Sequence, residues 1–136
     1  MSEHADMPDV PVDVLYVEDD PRIRMMYRIN LEADGFSVRE AGNGEEAMKL
    51  LGERVPDLVL ADIFMPFMDG VELAERVRSG VEPQPAIVFL SANPMSVDEE
   101  MLRLLGDDYL RKPFPPASLA PRLREVLRRR AAPAQG

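Results

Sequence analysis

The chain has 136 residues, of which 46% are hydrophobic and 30% charged, a length and composition typical of one globular domain. Its formal net charge of −9 argues against nucleic-acid binding, because a phosphate backbone requires a basic surface. It has no cysteine, which excludes disulfides, thiolate catalysis and Cys-based zinc sites, and it has no stretch with the length and apolarity of a transmembrane helix. We therefore expect a cytoplasmic protein with neither a nucleic-acid nor a membrane partner.

Composition divides the chain into a folded domain over residues 11–130 and two tails. Residues 1–10 are polar and acidic, and residues 131–136 are small residues with a proline, so we expect both tails to be flexible. Nothing that suggests a DNA-binding or catalytic domain follows residue 130. We therefore expect the chain to carry no output domain.

The first half of the chain predicts three strands separated by two helices. The predicted strands cover residues 12–17, 36–41 and 58–61. The first helix is predicted to begin after Asp20 as its N-cap, with a proline at its first position, and to end at Gly35. The second is predicted to begin after the cap Asn43 and to stop at Gly52.

The second half predicts two further strands and three helices. The strands cover residues 86–90 and 109–111, and the helices cover residues 71–78, a segment ending near Leu105, and residues 118–130. Ser96 is the predicted N-terminal cap of the fourth helix. For the last helix we expect Ser118 as the cap and Pro121 in the first turn, because proline inside a helix lacks a hydrogen-bond donor.

Five apolar strands alternating with helices predict an α/β fold. The expected architecture is a five-stranded parallel sheet in the order 2-1-3-4-5, covered by helices on both faces as in flavodoxin-like proteins.

Polar side chains follow the predicted strands at the points where those strands end. Glu18 and Asp19 follow the first strand, Asp62 ends the third, Ser91 ends the fourth and Lys112 follows the fifth. Because the carboxyl ends of parallel strands lie on one edge of a sheet, we expect all five side chains at that edge. Open α/β sheets bind their ligands there, at the point where the strand order reverses.

Three carboxylates gathered at one edge repel one another unless a cation joins them. Oxygen ligands suit Mg²⁺, and the charge of three acids and one lysine would be cancelled by that ion. Such a site could hold a phosphoryl group, with the central acid Asp62 as nucleophile and its neighbours Glu18 and Asp19 as metal ligands. Taken singly, Ser91 could be an ordinary loop hydroxyl and Lys112 an exposed lysine, but the joint arrangement favours a functional site.

Four segments in order resemble the receiver domain of two-component response regulators. They are residues 14–20 (VLYVEDD), 57–70 (DLVLADIFMPFMDG), 87–92 (IVFLSA) and 107–114 (DDYLRKPF). The resemblance extends over roughly residues 11–130, which is nearly the whole chain.

The resemblance implies that Asp62 is a phosphoacceptor loaded from the phosphohistidine of a histidine kinase or a histidine phosphotransferase. It implies a Mg²⁺ site, in which Mn²⁺ can substitute, formed by Glu18, Asp19, Asp62 and the backbone carbonyl of Phe64. Such a protein is not an enzyme with a separate substrate, since it catalyses only its own phosphorylation and slow dephosphorylation.

The resemblance also implies how the signal leaves the site. Lys112 would pair with the phosphoryl oxygens, Ser91 would move to hydrogen-bond them, and Tyr109 would turn inward as the aromatic switch. The peptide bond between Lys112 and Pro113 would be cis. A downstream protein of unknown identity would then read the face of the fourth helix, fifth strand and fifth helix, in a monomer or a phosphorylation-dependent dimer.

Three residues, Phe64, Ala92 and Asn93, are expected to govern access to the acyl phosphate. Phe64 is large and apolar where smaller or polar residues are common in the family, so we expect it to exclude water and slow self-dephosphorylation. Leu105 stands where the family usually has glycine, and the stretch from Ser91 to Lys112 is about one residue shorter than is usual in the family. We therefore expect a shortened or shifted fourth helix.

Three other functions compete with this interpretation. A haloacid-dehalogenase-like hydrolase needs an acid two residues after its nucleophile, and Phe64 cannot serve. A flavin-binding module needs a phosphate loop after the first strand, where the acids at residues 18–20 would repel a phosphate. A pseudo-receiver that binds partners without phosphorylation usually lacks one of the acids or the lysine, and none is missing here.

Overall fold

The computed structural model describes residues 10–92 and 98–131. Of the two predicted tails, only Val10 and Ala131 fall within these ranges, and Ala131 is the last residue of a helix. The predicted cap Ser96 and the predicted access residue Asn93 lie outside the described residues.

Five strands alternate with five helices along the chain. The strands are β1 Asp13–Val17, β2 Ser37–Ala41, β3 Leu58–Asp62, β4 Ala86–Ser91 and β5 Asp108–Arg111. The helices are α1 Pro21–Ala33, α2 Gly44–Glu53, α3 Gly70–Gly80, α4 Glu99–Leu105 and α5 Pro116–Ala131. The strands form one parallel sheet in the order β2-β1-β3-β4-β5, which confirms the predicted architecture.

Helices cover both faces of the sheet, and each face has its own hydrophobic core. On one face, Tyr27 of α1 and Leu123 of α5 pack with Val14 and Tyr16 of β1. On the other face, residues of α2, α3 and α4 pack with Leu15 and the alternate positions of the strands. The strands β3 and β4 are buried at every position, which explains their almost continuous apolar sequence. None of the described helices has both the length and the apolarity needed to cross a bilayer.

The ends of the first two helices follow from local sequence. Asp20 caps α1 by accepting a hydrogen bond from the Arg22 N–H at 2.9 Å, as predicted. Gly35 follows the helix with φ of +96°, a conformation that glycine adopts without steric cost. Asn43 caps α2 as predicted, but the helix continues through Gly52 to Glu53 and does not stop at that glycine.

The predicted start of the last helix is wrong. We expected Ser118 as its cap, but α5 begins at Pro116 and contains Pro121 in its interior. Pro116 suits the first helical position, and the Ser118 N–H donates to the Pro115 carbonyl at 2.9 Å in the first turn. Pro121 has no N–H and cannot donate a backbone hydrogen bond within the helix. This loss is tolerated because Pro121 is exposed, whereas Leu119 and Leu123 anchor the helix in the core.

The fourth helix is short, with seven residues. Its N-cap is Asp98, whose carboxylate accepts from the Glu100 N–H at 2.9 Å, and not the predicted Ser96. Gly106 ends the helix, and a Cβ at that position would lie 2.6 Å from the ring of Phe89. A glycine is therefore required one residue after Leu105.

Candidate functional site

The parallel sheet brings the predicted polar residues to one edge. Glu18 directly follows β1, and its N–H donates to the Ala41 carbonyl of β2 at 3.0 Å. Asp62 is the last residue of β3 and lies between β1 and β4 in the sheet. Ser91 is the last residue of β4, and its carbonyl accepts from the Lys112 N–H at 2.7 Å. The side chains of Glu18, Asp62 and Ser91 are buried at this edge.

Lys112 joins two of the acids. Its Nζ lies 2.6 Å from Asp62 Oδ2 and 2.9 Å from Glu18 Oε1. These contacts bring together residues that are 50 and 94 positions apart in the sequence. The Lys112–Pro113 peptide bond is cis, as the resemblance implied; a second cis bond, Glu82–Pro83, was not predicted.

Both oxygens of the Asp62 carboxylate accept hydrogen bonds. Oδ2 faces Lys112, and Oδ1 accepts from the Phe64 N–H at 3.1 Å. The following loop packs tightly against Asp62, since a Cβ on Gly70 would lie 2.4 Å from the Asp62 carbonyl oxygen. Glycine at position 70 therefore allows α3 to begin directly beside the site.

Burial and hydrogen bonding shift the pKa values of Glu18 and Lys112. Burial raises the pKa of Glu18 to about 7, against the lowering influence of its hydrogen bond with Lys112. Burial alone would lower the pKa of Lys112, but its hydrogen bonds to Asp62 and Glu18 outweigh burial and raise it. Lys112 is therefore a cation at neutral pH, and Glu18 is close to its titration midpoint.

The acids Glu18, Asp19 and Asp62 form a cluster that suits a metal ion. Each offers a carboxylate oxygen, and these oxygens all lie within 4.8 Å of one another. Asp19 is exposed, whereas the other two acids are buried. An all-oxygen donor set of this kind fits a hard divalent cation such as Mg²⁺. The participation of the Phe64 carbonyl stays a prediction.

The remaining predicted residues surround this cluster. Tyr109 of β5 is aligned with Phe89 of β4, and its buried hydroxyl has no hydrogen-bond partner among the described residues. Phe64 is 45% exposed two residues after Asp62, and Ala92 is exposed directly after β4. The roles of these residues in switching and access stay predictions.

A groove lies between α4 and β5. Its volume is about 510 Å³, and Tyr109, Arg111 and Arg103 are among the residues that line it. It belongs to the face that the resemblance implied for partner binding.

Two residues of α1 contact the site region and were missed in the sequence. Arg24 donates from Nη1 to the Glu18 carbonyl at 2.6 Å and from Nε to Glu40 at 2.8 Å. Tyr27 donates from its hydroxyl to the Phe114 carbonyl at 2.5 Å. The spacing of three residues does place both side chains on one side of the helix. It could not identify the backbone carbonyls to which they bind.

Comparison of the sequence with protein families finds one that covers most of the chain. The profile of the response regulator receiver domain matches residues 14–124. The response regulator MprA of Mycobacterium sp. strain KMS is 38% identical over 120 residues, which are 88% of this chain and 52% of that protein. The transcriptional regulatory protein CseB of Streptomyces avermitilis is 40% identical over 117 residues, which are 85% of this chain and 49% of that protein. The chain thus spans about half the length of these curated relatives.

Solved structures of similar fold cover most of both chains. The CheY-like receiver domain from Methylobacillus flagellatus has a TM-score of 0.78 and 28% identity, over 86% of this chain and 99% of that one. The response regulator TrrA from Thermotoga maritima, solved in complex with Mg²⁺-BeF, has a TM-score of 0.76 and 30% identity, over 85% of this chain and 98% of that one.

Proposed function

The chain belongs to the response regulator receiver domain family of two-component systems, and we propose that it accepts a phosphoryl group on Asp62. The phosphoryl donor is the phosphohistidine of a histidine kinase or a histidine phosphotransferase, and the reaction requires Mg²⁺ or Mn²⁺. One observation carries the proposal: the Lys112 ammonium lies 2.6 Å from Asp62 within an acid cluster that suits a metal ion. We expect the protein to act in the cytoplasm.

The transfer is a substitution at phosphorus. A carboxylate oxygen of Asp62 attacks the phosphorus, an O–P bond forms, and the N–P bond to the donor imidazole breaks, with the electron pair leaving on nitrogen. Glu18, Asp19, Asp62 and the Phe64 carbonyl would hold the metal ion, which supplies positive charge to offset repulsion between the carboxylates and the phosphoryl group.

Lys112 has two tasks in this proposal. Its contact with Asp62 holds the carboxylate in place for the attack on phosphorus. Once the phosphoryl group is attached, the same ammonium pairs with a phosphoryl oxygen, because that group adds charge and strong acceptors at Asp62. Ser91 donates its hydroxyl to another phosphoryl oxygen.

Loss of the phosphoryl group depends on access of water to the acyl phosphate. Phe64 stands two residues after Asp62 with a partly exposed ring, and Ala92 is a small exposed residue after Ser91. We assign Phe64 the exclusion of water, which makes self-dephosphorylation slow. Ala92, which is small, leaves the acyl phosphate accessible to a partner.

The phosphorylated site communicates with the groove between α4 and β5 through β4 and β5. Ser91 is aligned with Arg111, and Phe89 with Tyr109, in the parallel pairing of these strands. Movement of Ser91 toward the phosphoryl group opens space into which Tyr109 turns. The buried Tyr109 hydroxyl can then reach a hydrogen-bond partner. A downstream protein, or a second phosphorylated copy, then binds the face formed by α4, β5 and α5.

The proposal is tested by intact mass after incubation with acetyl phosphate, with and without Mg²⁺. We expect a Mg²⁺-dependent gain of one phosphoryl group in the wild-type protein and none in Asp62→Asn. No gain, under conditions that label a known receiver, would instead favour a pseudo-receiver that binds partners without phosphorylation, or a receiver that accepts the phosphoryl group only from its kinase. Incubation with purified kinase separates these two.

A further inference from the structure

We propose that Tyr27 is a positioning residue for Lys112. By fixing the backbone at Phe114, the Tyr27 hydroxyl holds the loop after β5 in the position that directs the Lys112 ammonium at Asp62. The inference rests on the proposed function of Asp62, and it adds a residue of α1 to the machinery of phosphoryl transfer.

Tyr27 is an internal residue of α1. Its side chain is 3% exposed, and its ring meets that of Tyr16 edge to face, with centroids 6.3 Å apart and an interplanar angle of 82°. From this position the hydroxyl reaches the Phe114 carbonyl at 2.5 Å. Burial raises the pKa of Tyr27, so its hydroxyl stays protonated at working pH and can donate.

The Phe114 carbonyl is one of two backbone anchors on either side of the Lys112 side chain. The first is the Lys112 N–H, which donates to the Ser91 carbonyl at 2.7 Å. Pro113 has no N–H to donate, so the next point at which the described backbone is tied is the Phe114 carbonyl. The chain that carries Lys112 is thus fixed to the sheet on one side and to α1 on the other.

This fixation affects chemistry because Lys112 must satisfy two acids at once. Its ammonium lies 2.6 Å from Asp62 and 2.9 Å from Glu18. A lysine side chain has four flexible methylene groups, so its head group is placed accurately only if the backbone beneath it is held. A loop that shifts by a fraction of an ångström would weaken the contact with the developing phosphoryl charge.

Tyr16 supplies a matched control for Tyr27. Both tyrosines are buried, their rings touch, and both lie in the core between the sheet and helices α1 and α5. The Tyr16 hydroxyl has no hydrogen-bond partner among the described residues. Tyr16→Phe and Tyr27→Phe therefore remove the same atom from the same core, but only the second removes a bond to the Lys112 loop.

The experiment compares wild type, Tyr27→Phe and Tyr16→Phe by three measurements. The first is the phosphorylation rate with acetyl phosphate at saturating Mg²⁺, and the second is the Mg²⁺ affinity from the metal-induced rise in Tm. The third is amide hydrogen exchange at Lys112 and Leu110 in the metal-free protein.

We expect Tyr27→Phe to lower the phosphorylation rate about fivefold, the effect of one net hydrogen bond. Mg²⁺ affinity should stay unchanged, because Glu18, Asp19 and Asp62 are not on the loop. Exchange should become faster at Lys112 but not at Leu110. The Tyr16→Phe protein should match wild type in all three measurements. Loss of one hydrogen bond leaves the chain almost wholly folded, so unfolding would not explain the slower reaction.

Wild-type exchange at Lys112 in Tyr27→Phe overturns the inference whatever the labelling result. Equal loss of rate in both variants, or a wild-type rate in Tyr27→Phe, also overturns it. A wild-type protein that accepts no phosphoryl group contradicts the proposed function instead, and the exchange measurement still decides whether Tyr27 holds the loop.

Discussion

Replacement of Lys112 by methionine tests how the site balances its charges. The side chains of Glu18 and Asp62 are only 2% and 8% exposed, and the ammonium of Lys112 is the cation that contacts both. Removing it leaves two buried carboxylates without that partner, whereas methionine retains most of the aliphatic volume. The phosphorylation rate should fall as well, because the cation that meets the phosphoryl oxygens is gone.

The expected loss of stability follows from burial. Breaking a buried ion pair by removing one partner costs about 3–5 kcal/mol. The Lys112 side chain retains 16% of its exposure, so we expect the lower end of this range, about 3 kcal/mol at pH 8 without metal. For a domain of this size that corresponds to a fall in Tm of about 12 °C.

The loss of stability in Lys112→Met should be smaller at lower pH, because it depends on the ionisation of Glu18. The pKa of Glu18 is raised to about 7, so its ionisation costs stability as pH rises through that value. Lys112 lowers this pKa, and its removal moves the titration to still higher pH. At pH 6 Glu18 is mostly protonated and needs no cation, so Lys112→Met should be closer to wild type there than at pH 8.

Urea unfolding at pH 6 and pH 8 in metal-free buffer measures both effects. Lys49→Met is the control, since Lys49 is an exposed residue of α2 and should change stability little at either pH. A Lys112→Met protein that is equally destabilised at both pH values, or no less stable than Lys49→Met at pH 8, would show that Lys112 does not offset the buried charges of Glu18 and Asp62.

Three further predictions concern the surroundings of the acid cluster. Mg²⁺ affinity should fall as pH decreases from 8 to 6, because the ion competes with the proton on Glu18; calorimetric titration should find this dependence much weaker in Glu18→Gln. Phe64→Asn should lose the phosphoryl group several-fold faster than wild type in a mass time course, and an unchanged decay would contradict the shielding role. Phe67 is 91% exposed with φ of +71°, so Phe67→Gly should raise the free energy of unfolding by about 0.5–1 kcal/mol, once the entropy of glycine is subtracted from the relieved strain. Urea unfolding measures this change, and a less stable variant would show that the exposed ring has a structural role.

The fold could be predicted because its signals are local. The alternation of apolar strands with helices is visible in short windows, and polar residues at strand ends identify one edge of a parallel sheet. This was enough to bring Glu18, Asp62 and Lys112 together across up to 94 residues of sequence. The strand order came from the resemblance to known folds and not from any single segment.

The wrong predictions arose where the local sequence was compatible with two structures and tertiary packing decided between them. Pro116 and Pro121 both suit the first turn of a helix, and burial of Leu119 and Leu123 favours the longer helix. The contact of Tyr27 with the Phe114 carbonyl could not be predicted, because a backbone acceptor 87 residues away leaves no mark in the sequence.

Locating the phosphoryl group tests directly whether Asp62 is the phosphoacceptor. The protein is labelled with acetyl phosphate and Mg²⁺, reduced with borohydride, which converts an aspartyl phosphate to homoserine, and mapped by peptide mass spectrometry. We predict homoserine at position 62 and at no other aspartate. Homoserine elsewhere, or none in a protein labelled under these conditions, would contradict the assignment of Asp62 as the phosphoacceptor.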